Sequence, residues 1–516
     1  MRAAVYDRFW HSQGGGERHS GMIGVVLSED GVEVDFLGHT AVDKDELADH
    51  LGLDLSKVNL RIVPDKGDLE VAAISEEYDL FVNGSYMSRL APRATHNAYL
   101  CYFPTPFDAD LSPWRRALTR RLGKYVRAHS GGLTFGTGWF PPEGGRRRQW
   151  IWTSGEAIVA LPPGNDRTLR FELGGPGLKA PVPLEIRDEN GTVLGSYTAT
   201  PDFVVHRLPF PDAVRGTELH FSSPTFTPGG TDDRTLGVAV SRMRMEGGKY
   251  GPREVIAHRF PWLLRDPTDL SFLTSYDTVM ANSEYTRGWI RTFWDTDSEV
   301  LFPPIQTDRM HPAAEREKAI VTVGRFFSPG LGHAKRQLEM VQFFGRAHRS
   351  GALPPDWRLY VVGGCEESQK PYLQQVQAAG AGLPVEVIAN APRATVERLL
   401  STSSVFWSAT GYGEDEQKSP WASEHFGMTT VESMAGGCVP VVIDRAGQKE
   451  IVREGVDGFR WSTPEQLIAL TSRVAGDEEL RARLSASAVE RAEDYSEAAF
   501  ADRWHEIAAK HSLLEP

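Results

Sequence analysis

Short, continuous apolar runs punctuate the first part of the chain, separated by longer segments of mixed polarity. Ala3 to Tyr6, Val32 to Leu37, Asp79 to Val82 and Asn97 to Phe103 read as strands, with helices or loops between them. Alternation of this kind predicts a parallel sheet with crossover helices, whose ligands gather at the carboxyl ends of the strands. From about Gly131 to Lys249 the texture changes. Trp150-Ile151-Trp152, Leu169 to Leu173, Leu184 to Arg187, Glu218 to Phe221 and Leu236 to Val240 are short alternating runs, and Asp188-Glu189-Asn190-Gly191 carries a hairpin signal. That spacing predicts an antiparallel β-sandwich. The parallel pattern then resumes with a strand over Asp277 to Asn282.

After Pro303-Pro304 a second alternating series begins, with strands at Ala319 to Val323, Leu359 to Val362, Val385 to Ile388, Val405 to Trp407 and Val439 to Ile443. Leu467 to Val474, Leu480 to Arg491 and Glu497 to Ala509 have helical spacing. The chain therefore divides into a first α/β lobe (residues 1–128 and 252–304), an inserted β domain (129–251), a second α/β lobe (305–495) and a closing segment (496–516).

Composition adds limits. The 516 residues suffice for two or three domains, and a hydrophobic fraction of 41% with 24% charged residues describes an ordinary globular protein. A formal charge of −13 argues against a general nucleic-acid partner, which needs a basic footprint. Cys101, Cys365 and Cys438 are isolated, so buried reduced thiols are expected. The N-terminus lacks the long apolar core of a signal peptide, and no stretch approaches the ~20 apolar residues of a membrane span. A cytoplasmic protein is expected.

The chemistry concentrates in Ser423-Glu424-His425-Phe426-Gly427-Met428-Thr429-Thr430-Val431-Glu432. A loop turns into a helix between two carboxylates. A helix N-terminus presents unpaired N–H groups and a partial positive charge, which suit a phosphate. The flanking carboxylates suit hydroxyls, one before the helix and one inside its first turns.

Glu424 to Glu432 resembles the E-x7-E signature of the retaining GT-B glycosyltransferases, the large family 4-like, group 1 set. Gln13-Gly14-Gly15-Gly16-Glu17-Arg18, Ala281 to Thr286 and Val323-Gly324-Arg325-Phe326 match further motifs in the family's order. The likeness covers roughly residues 1–128 and 252–510. It implies two Rossmann-like lobes facing a cleft, with the β-sandwich as an insertion in the N-terminal, acceptor-binding lobe and the donor held by the C-terminal lobe. The last helix is expected to cross back to the first lobe. The implied reaction is transfer of a hexose from a nucleotide-diphosphate sugar to a hydroxyl of a glycan, a lipid-linked sugar or a small molecule, with retention and with no metal or other cofactor. A phosphorylase or disaccharide synthase of the same fold is the near alternative. A glycan-binding protein with a degenerate transferase body is the distant one.

By this resemblance Arg325 and Lys335 neutralise the donor diphosphate, with Arg336 a competitor for the lysine's role. Glu424 sits by the donor sugar and Glu432 by the ribose diol, while His425, Phe426, Gly427, Met428 and Thr429 line the donor, the last three through backbone N–H groups. Gly14, Gly15 and Gly16 close over the phosphates. Asn390 is a candidate contact to the base. Many relatives carry a histidine where Tyr99-Leu100-Cys101-Tyr102-Phe103-Pro104 places Tyr102, so the donor-sugar contact falls to a residue that shuttles protons poorly at neutral pH. His96 and His129 are nearby alternatives. Asp295-Thr296-Asp297 mimics a metal motif of another fold and reads as a surface turn.

Two segments stand outside this scheme. No acidic residue occurs from Leu111 to Pro142, and Trp114, Leu118, Leu122, Tyr125 and Val126 fall at helical spacing among arginines. Such a helix either packs its apolar stripe inward or lies on an anionic membrane. In the insertion, Trp139, Trp150, Trp152, Tyr197 and Phe226 form either a sandwich core or a platform for sugar rings.

Overall fold

A computed structural model of the chain describes residues 1–64, 68–109, 111–127, 133–136, 138–140, 143–144, 148–161, 168–210, 218–228, 234–246, 260–264, 269–329 and 334–515. Its first sheet has seven parallel strands, in the order Glu299–Val300, Thr278–Ala281, His96–Cys101, Leu80–Asn83, Arg2–Tyr6, Glu33–Gly38 and Val58–Ile62. The central strands are buried along most of their length, which is why they read as unbroken apolar runs. Val58–Ile62 carries no such signal. It is an edge strand, and its half-exposed Asn59 and Arg61 break the pattern.

The helix Gly15–Glu29 packs closely on this sheet. A Cβ at Gly24 or Gly21 would strike Phe36 or Leu53, so these glycines set the helix-to-sheet distance. The last helix, Glu497–Lys510, places Phe500, Trp504, Ile507 and Ala508 in the same core as Ile23, Val26 and Leu27. The carboxyl end of the chain is thus built into the body formed by its beginning.

The second parallel sheet runs Val385–Ala389, Arg358–Gly363, Glu317–Val323, Ser403–Ser408, Val439–Ile443 and Phe459–Trp461. The final strand, three residues long, is too short to show a period. Its helices include Gln337–Arg349, Met428–Ala435, Pro464–Gly476 and Glu478–Ala492.

Between residues 133 and 246 lie two five-stranded antiparallel sheets whose inner faces share one cluster, including Val159, Phe171, Leu184, Ile186, Phe221 and Val240. The hairpin joining Val182–Arg187 to Val193–Ala199 turns at Asp188, whose carboxylate accepts N–H bonds from Asn190 (3.0 Å) and Thr192 (2.8 Å). One run differs from its sequence reading. The strand is Ala239–Met245, while Leu236 makes only an isolated bridge with Phe226. The five aromatic residues named from the sequence are packed, although Phe135 beside Trp139 is exposed. Trp139, Tyr197 and Phe226 lie against the shared core, and Trp152 and Trp150 against Leu236 and Phe203. No described helix is long and apolar enough to cross a membrane.

Candidate functional site

The helix Met428–Ala435 begins at Gly427, whose φ of +123° lies in the region that side chains disfavour; a Cβ there would also lie 2.8 Å from the Gln448 amide. Gly427 accepts from Thr430 N–H (2.9 Å), which starts the helix and leaves the Met428 and Thr429 amides without an acceptor among the described residues. Those two donors and the helix dipole face the gap between the two parallel sheets. Inside the next turn, Glu432 is half-buried and accepts no hydrogen bond from a described residue. Burial raises its proton affinity, and the nearby guanidinium groups of Arg393 and Arg18 oppose that rise.

The cations come from the end of the strand Glu317–Val323. The Lys335 stem lies across Gly324, where a Cβ would come within 2.6 Å of it, and its Nζ stands 2.5 Å from Glu424 Oε2. The Thr410 hydroxyl donates to the same oxygen at 3.1 Å. Arg325 is exposed, lies over the Phe327 ring at 5.1 Å, and meets no carboxylate among the described residues. Arg336 is placed differently. It pairs with Glu339 (3.2 Å) and with Glu414, away from Glu424, so geometry assigns the position beside Glu424 to Lys335. Residues 330–333 of the intervening loop lie outside the described residues. Glu414 to Glu416 line a cavity of about 400 Å³ with Asp444, Arg445 and Ser462.

On the first-lobe side, the glycine run follows the first strand. Gly14 N–H donates to Glu17 Oε2 at 2.6 Å, fixing the start of the helix, and a Cβ at Gly15 would lie 2.7 Å from Met428 Sδ. The loop therefore touches the first residue of the helix Met428–Ala435 directly. The Tyr102 hydroxyl donates to Gly16 O at 2.6 Å. The hydroxyl thus holds the glycine loop, and the ring packs against Gly16. Asn390 is likewise held by backbone. Its φ of +53° and its amide, which accepts from Cys365 N–H (2.7 Å) and donates to Cys365 O (3.3 Å), tie two strand ends together. His96 bonds the Glu515 carbonyl at the opposite strand end, far from the glycine loop, and His129 lies outside the described residues.

Further residues meet at this junction. His425 stacks on Phe103 with centroids 4.2 Å apart and lies parallel to Tyr285 at 6.5 Å. Glu450 accepts the Glu284 and Tyr285 N–H groups at 2.8 and 2.6 Å, so a second-lobe carboxylate caps the helix Glu284–Trp294 of the first. Burial pushes its pKa up to about 7 against these two donors. Arg18, almost fully buried, donates to Pro304 O (3.2 Å), to Leu51 O and to Glu497, joining the first helix to the interlobe connection and the last helix. Beneath Tyr102, burial holds His19 neutral, with its pKa lowered to about 3. Of these, Glu450 and His19 gave no signal in sequence, whereas Arg18, Tyr285 and His425 lie inside the quoted motifs.

The arrangement offers free helix-end amides, two cations and two carboxylates, enclosed by aromatic and glycine-rich contacts from the other lobe. It can bind a diphosphate flanked by polyhydroxyl groups. Residues 306–491 match the family model of the group 1 glycosyl transferases. Curated relatives include enzymes named GDP-Man:Man(3)GlcNAc(2)-PP-Dol alpha-1,2-mannosyltransferase. That of Dictyostelium discoideum is 24% identical over 242 residues, 44% of this chain and 46% of the relative. That of Homo sapiens is 26% identical over 232 residues, 41% and 44% respectively. The chain thus spans less than half the length of these relatives. Among solved structures, Anabaena HepE in complex with UDP and glucose superposes with a TM-score of 0.51 at 11% identity, covering 99% of this chain and 100% of that one. A glycosyltransferase from Rickettsia africae gives 0.52 at 12% identity, covering 100% and 98%. These likenesses show the fold.

Proposed function

We propose, for a chain that matches a GT-B glycosyltransferase family, a retaining hexosyltransferase that uses a nucleotide-diphosphate sugar and needs no metal. The observation that carries this reading is the Lys335–Glu424 pair just before a helix whose Met428 and Thr429 amides, and whose Glu432 carboxylate one turn further in, have no partner among the described residues. The diphosphate takes the helix-end amides, and Arg325 and Lys335 neutralise the charge that builds as it leaves. Glu432 accepts the ribose hydroxyls. Glu424, released from Lys335 as that cation turns to phosphate, accepts hydroxyls of the hexose. Tyr102 acts through the loop, holding Gly14 to Gly16 against the phosphates. The C1–O bond to phosphate breaks as the acceptor oxygen bonds C1 on the same face, and the acceptor's proton passes to the leaving phosphate oxygen.

In this reading, residues 305–495 bind the donor and residues 1–128 with 252–304 the acceptor. The two antiparallel sheets of 129–251 form an inserted sandwich whose role is structural or acceptor-directed. The curated relatives are named for GDP-mannose and the Anabaena structure for UDP and glucose, so both donors belong in the first assay. Incubation with GDP-mannose, UDP-glucose and ADP-glucose, with and without EDTA, is followed by nucleoside diphosphate release and by NMR of the product anomer. One donor is expected to react with retention, indifferent to EDTA. An inverted product, a chelator-sensitive reaction, or turnover of a hexose 1-phosphate instead would overturn the proposal.

A further inference from the structure

The helix Pro113–Arg127 is inverted relative to an ordinary lobe helix. Arg116, half-buried, and the buried Thr119 face the protein, and the exposed Arg120 reaches back to it. Both arginines pair with the fully buried Asp108, at 3.7 and 3.0 Å, and Thr119 is itself buried. The apolar stripe points the other way. Trp114, Leu118 and Leu122 stand one above another on a single face, at spacings of four, and are 57%, 36% and 40% exposed. Phe260 beside them is 39% exposed, and Trp262 packs edge-on against Trp114 at 5.7 Å. By helical position Arg115 and Arg121 flank this stripe on its two sides. Both are exposed, neither meets a carboxylate among the described residues, and Arg115 lies over the Trp114 and Trp262 rings. The side chains of Tyr125 and Val126 lie outside the described set.

We propose that this face docks on an anionic lipid surface. A convex strip of exposed tryptophan and leucine, flanked by arginines whose heads reach upward from apolar stems, has the chemistry of an interfacial helix. Charge complementarity selects an anionic surface: from Leu111 to Pro142 the chain has no acidic residue, although its net charge is −13. The strip also borders the candidate cleft. Arg116 lies 5.7 Å over the ring of Trp421, three residues before Glu424. Docking therefore brings the cleft to the headgroup layer. It does not depend on the donor reading, because vesicle binding is read without turnover.

The full chain is sedimented with phosphatidylcholine vesicles, with and without phosphatidylglycerol, at low and high salt. Binding is expected to anionic vesicles, weakened by salt and lost in Trp114→Ser/Leu118→Ser. Arg115→Gln/Arg121→Gln should lower the partition coefficient for anionic vesicles about 25-fold, at about fivefold per arginine. That pair makes no ion pair among the described residues and keeps the test valid should the first variant misfold. Absence of wild-type binding, or equal binding by both variants, would overturn the proposal. So would a wild-type dimer that becomes a monomer in Trp114→Ser/Leu118→Ser, because a second copy would then own the face.

Discussion

Glu432→Gln separates a binding carboxylate from a structural one. The wild-type side chain is half-buried, lacks a hydrogen-bond donor among the described residues, and feels Arg18 and Arg393 only as charges. Burial dominates, so the folded protein holds this proton more tightly than the unfolded chain does. The stability contributed by the site therefore falls as pH rises through the carboxylate range and stays reduced at neutral pH. Replacing the charge with an amide of the same shape removes that cost, which for one partly buried, unpaired group is about 1 kcal/mol. For a lobe of this size, a gain of that order raises the melting temperature by roughly 2 to 4 °C. Binding moves the opposite way. Two charge-assisted bonds to a ribose diol are worth about 1.5–3 kcal/mol each, and a neutral amide recovers part of that. The expected net loss is about 2–4 kcal/mol, or roughly 30- to 1,000-fold in Kd. Calorimetric titration with GDP and UDP gives the affinity, and thermal melts without ligand give the stability. A variant less stable than wild type that binds the nucleotide within a factor of about two would refute the reasoning. Glu432 would then be a partner of Arg18 and Arg393, not of a ligand.

Other perturbations test other parts. Arg325→Ala should lower kcat about 100-fold by removing charge stabilisation at the leaving group, while stability changes by less than about 0.5 kcal/mol, since the side chain is exposed and unpaired. Steady-state kinetics and a melt on one preparation decide it. Glu450→Ala should uncap the helix Glu284–Trp294 and cost about 1 kcal/mol of contact between the lobes. The wild-type carboxyl titrates near pH 7 when folded, above its ordinary range. The native state thus holds the extra proton between the two values, stability declines as pH rises toward 7, and the variant should lose that slope in pH-dependent melts. Trp504→Ala should cost about 3–5 kcal/mol and release the last helix, read as early amide exchange in 497–510, because the indole is fully buried in the first-lobe core.

Legibility in sequence followed the range of the interactions. Strands buried on both faces were visible because each is a local apolar run, while Val58–Ile62 and Phe459–Trp461 escaped, one an edge and the other three residues long. The hairpin at Asp188 was visible because its turn chemistry is contained in five residues. The site was readable where its motif is contiguous, as in Glu424 to Glu432. It was not readable where side chains such as Tyr102 and Asn390 bond backbone groups 86 and 25 residues away.

The chain by itself determined two parallel-sheet bodies, an antiparallel stretch between them, and a helix start set between two carboxylates. Local spacing, turn residues and backbone freedom at glycine encode all three. Tertiary structure alone decided which carboxylate stands free and which is held: Glu424 by Lys335, 89 residues distant, and Glu450 by amides 166 and 165 residues distant. It also decided that Arg116 and Arg120 of Pro113–Arg127 pair with Asp108 while Trp114, Leu118 and Leu122 stand exposed. The same helical period serves either face. The burial of Asp108, just before the helix, fixes which side the protein claims.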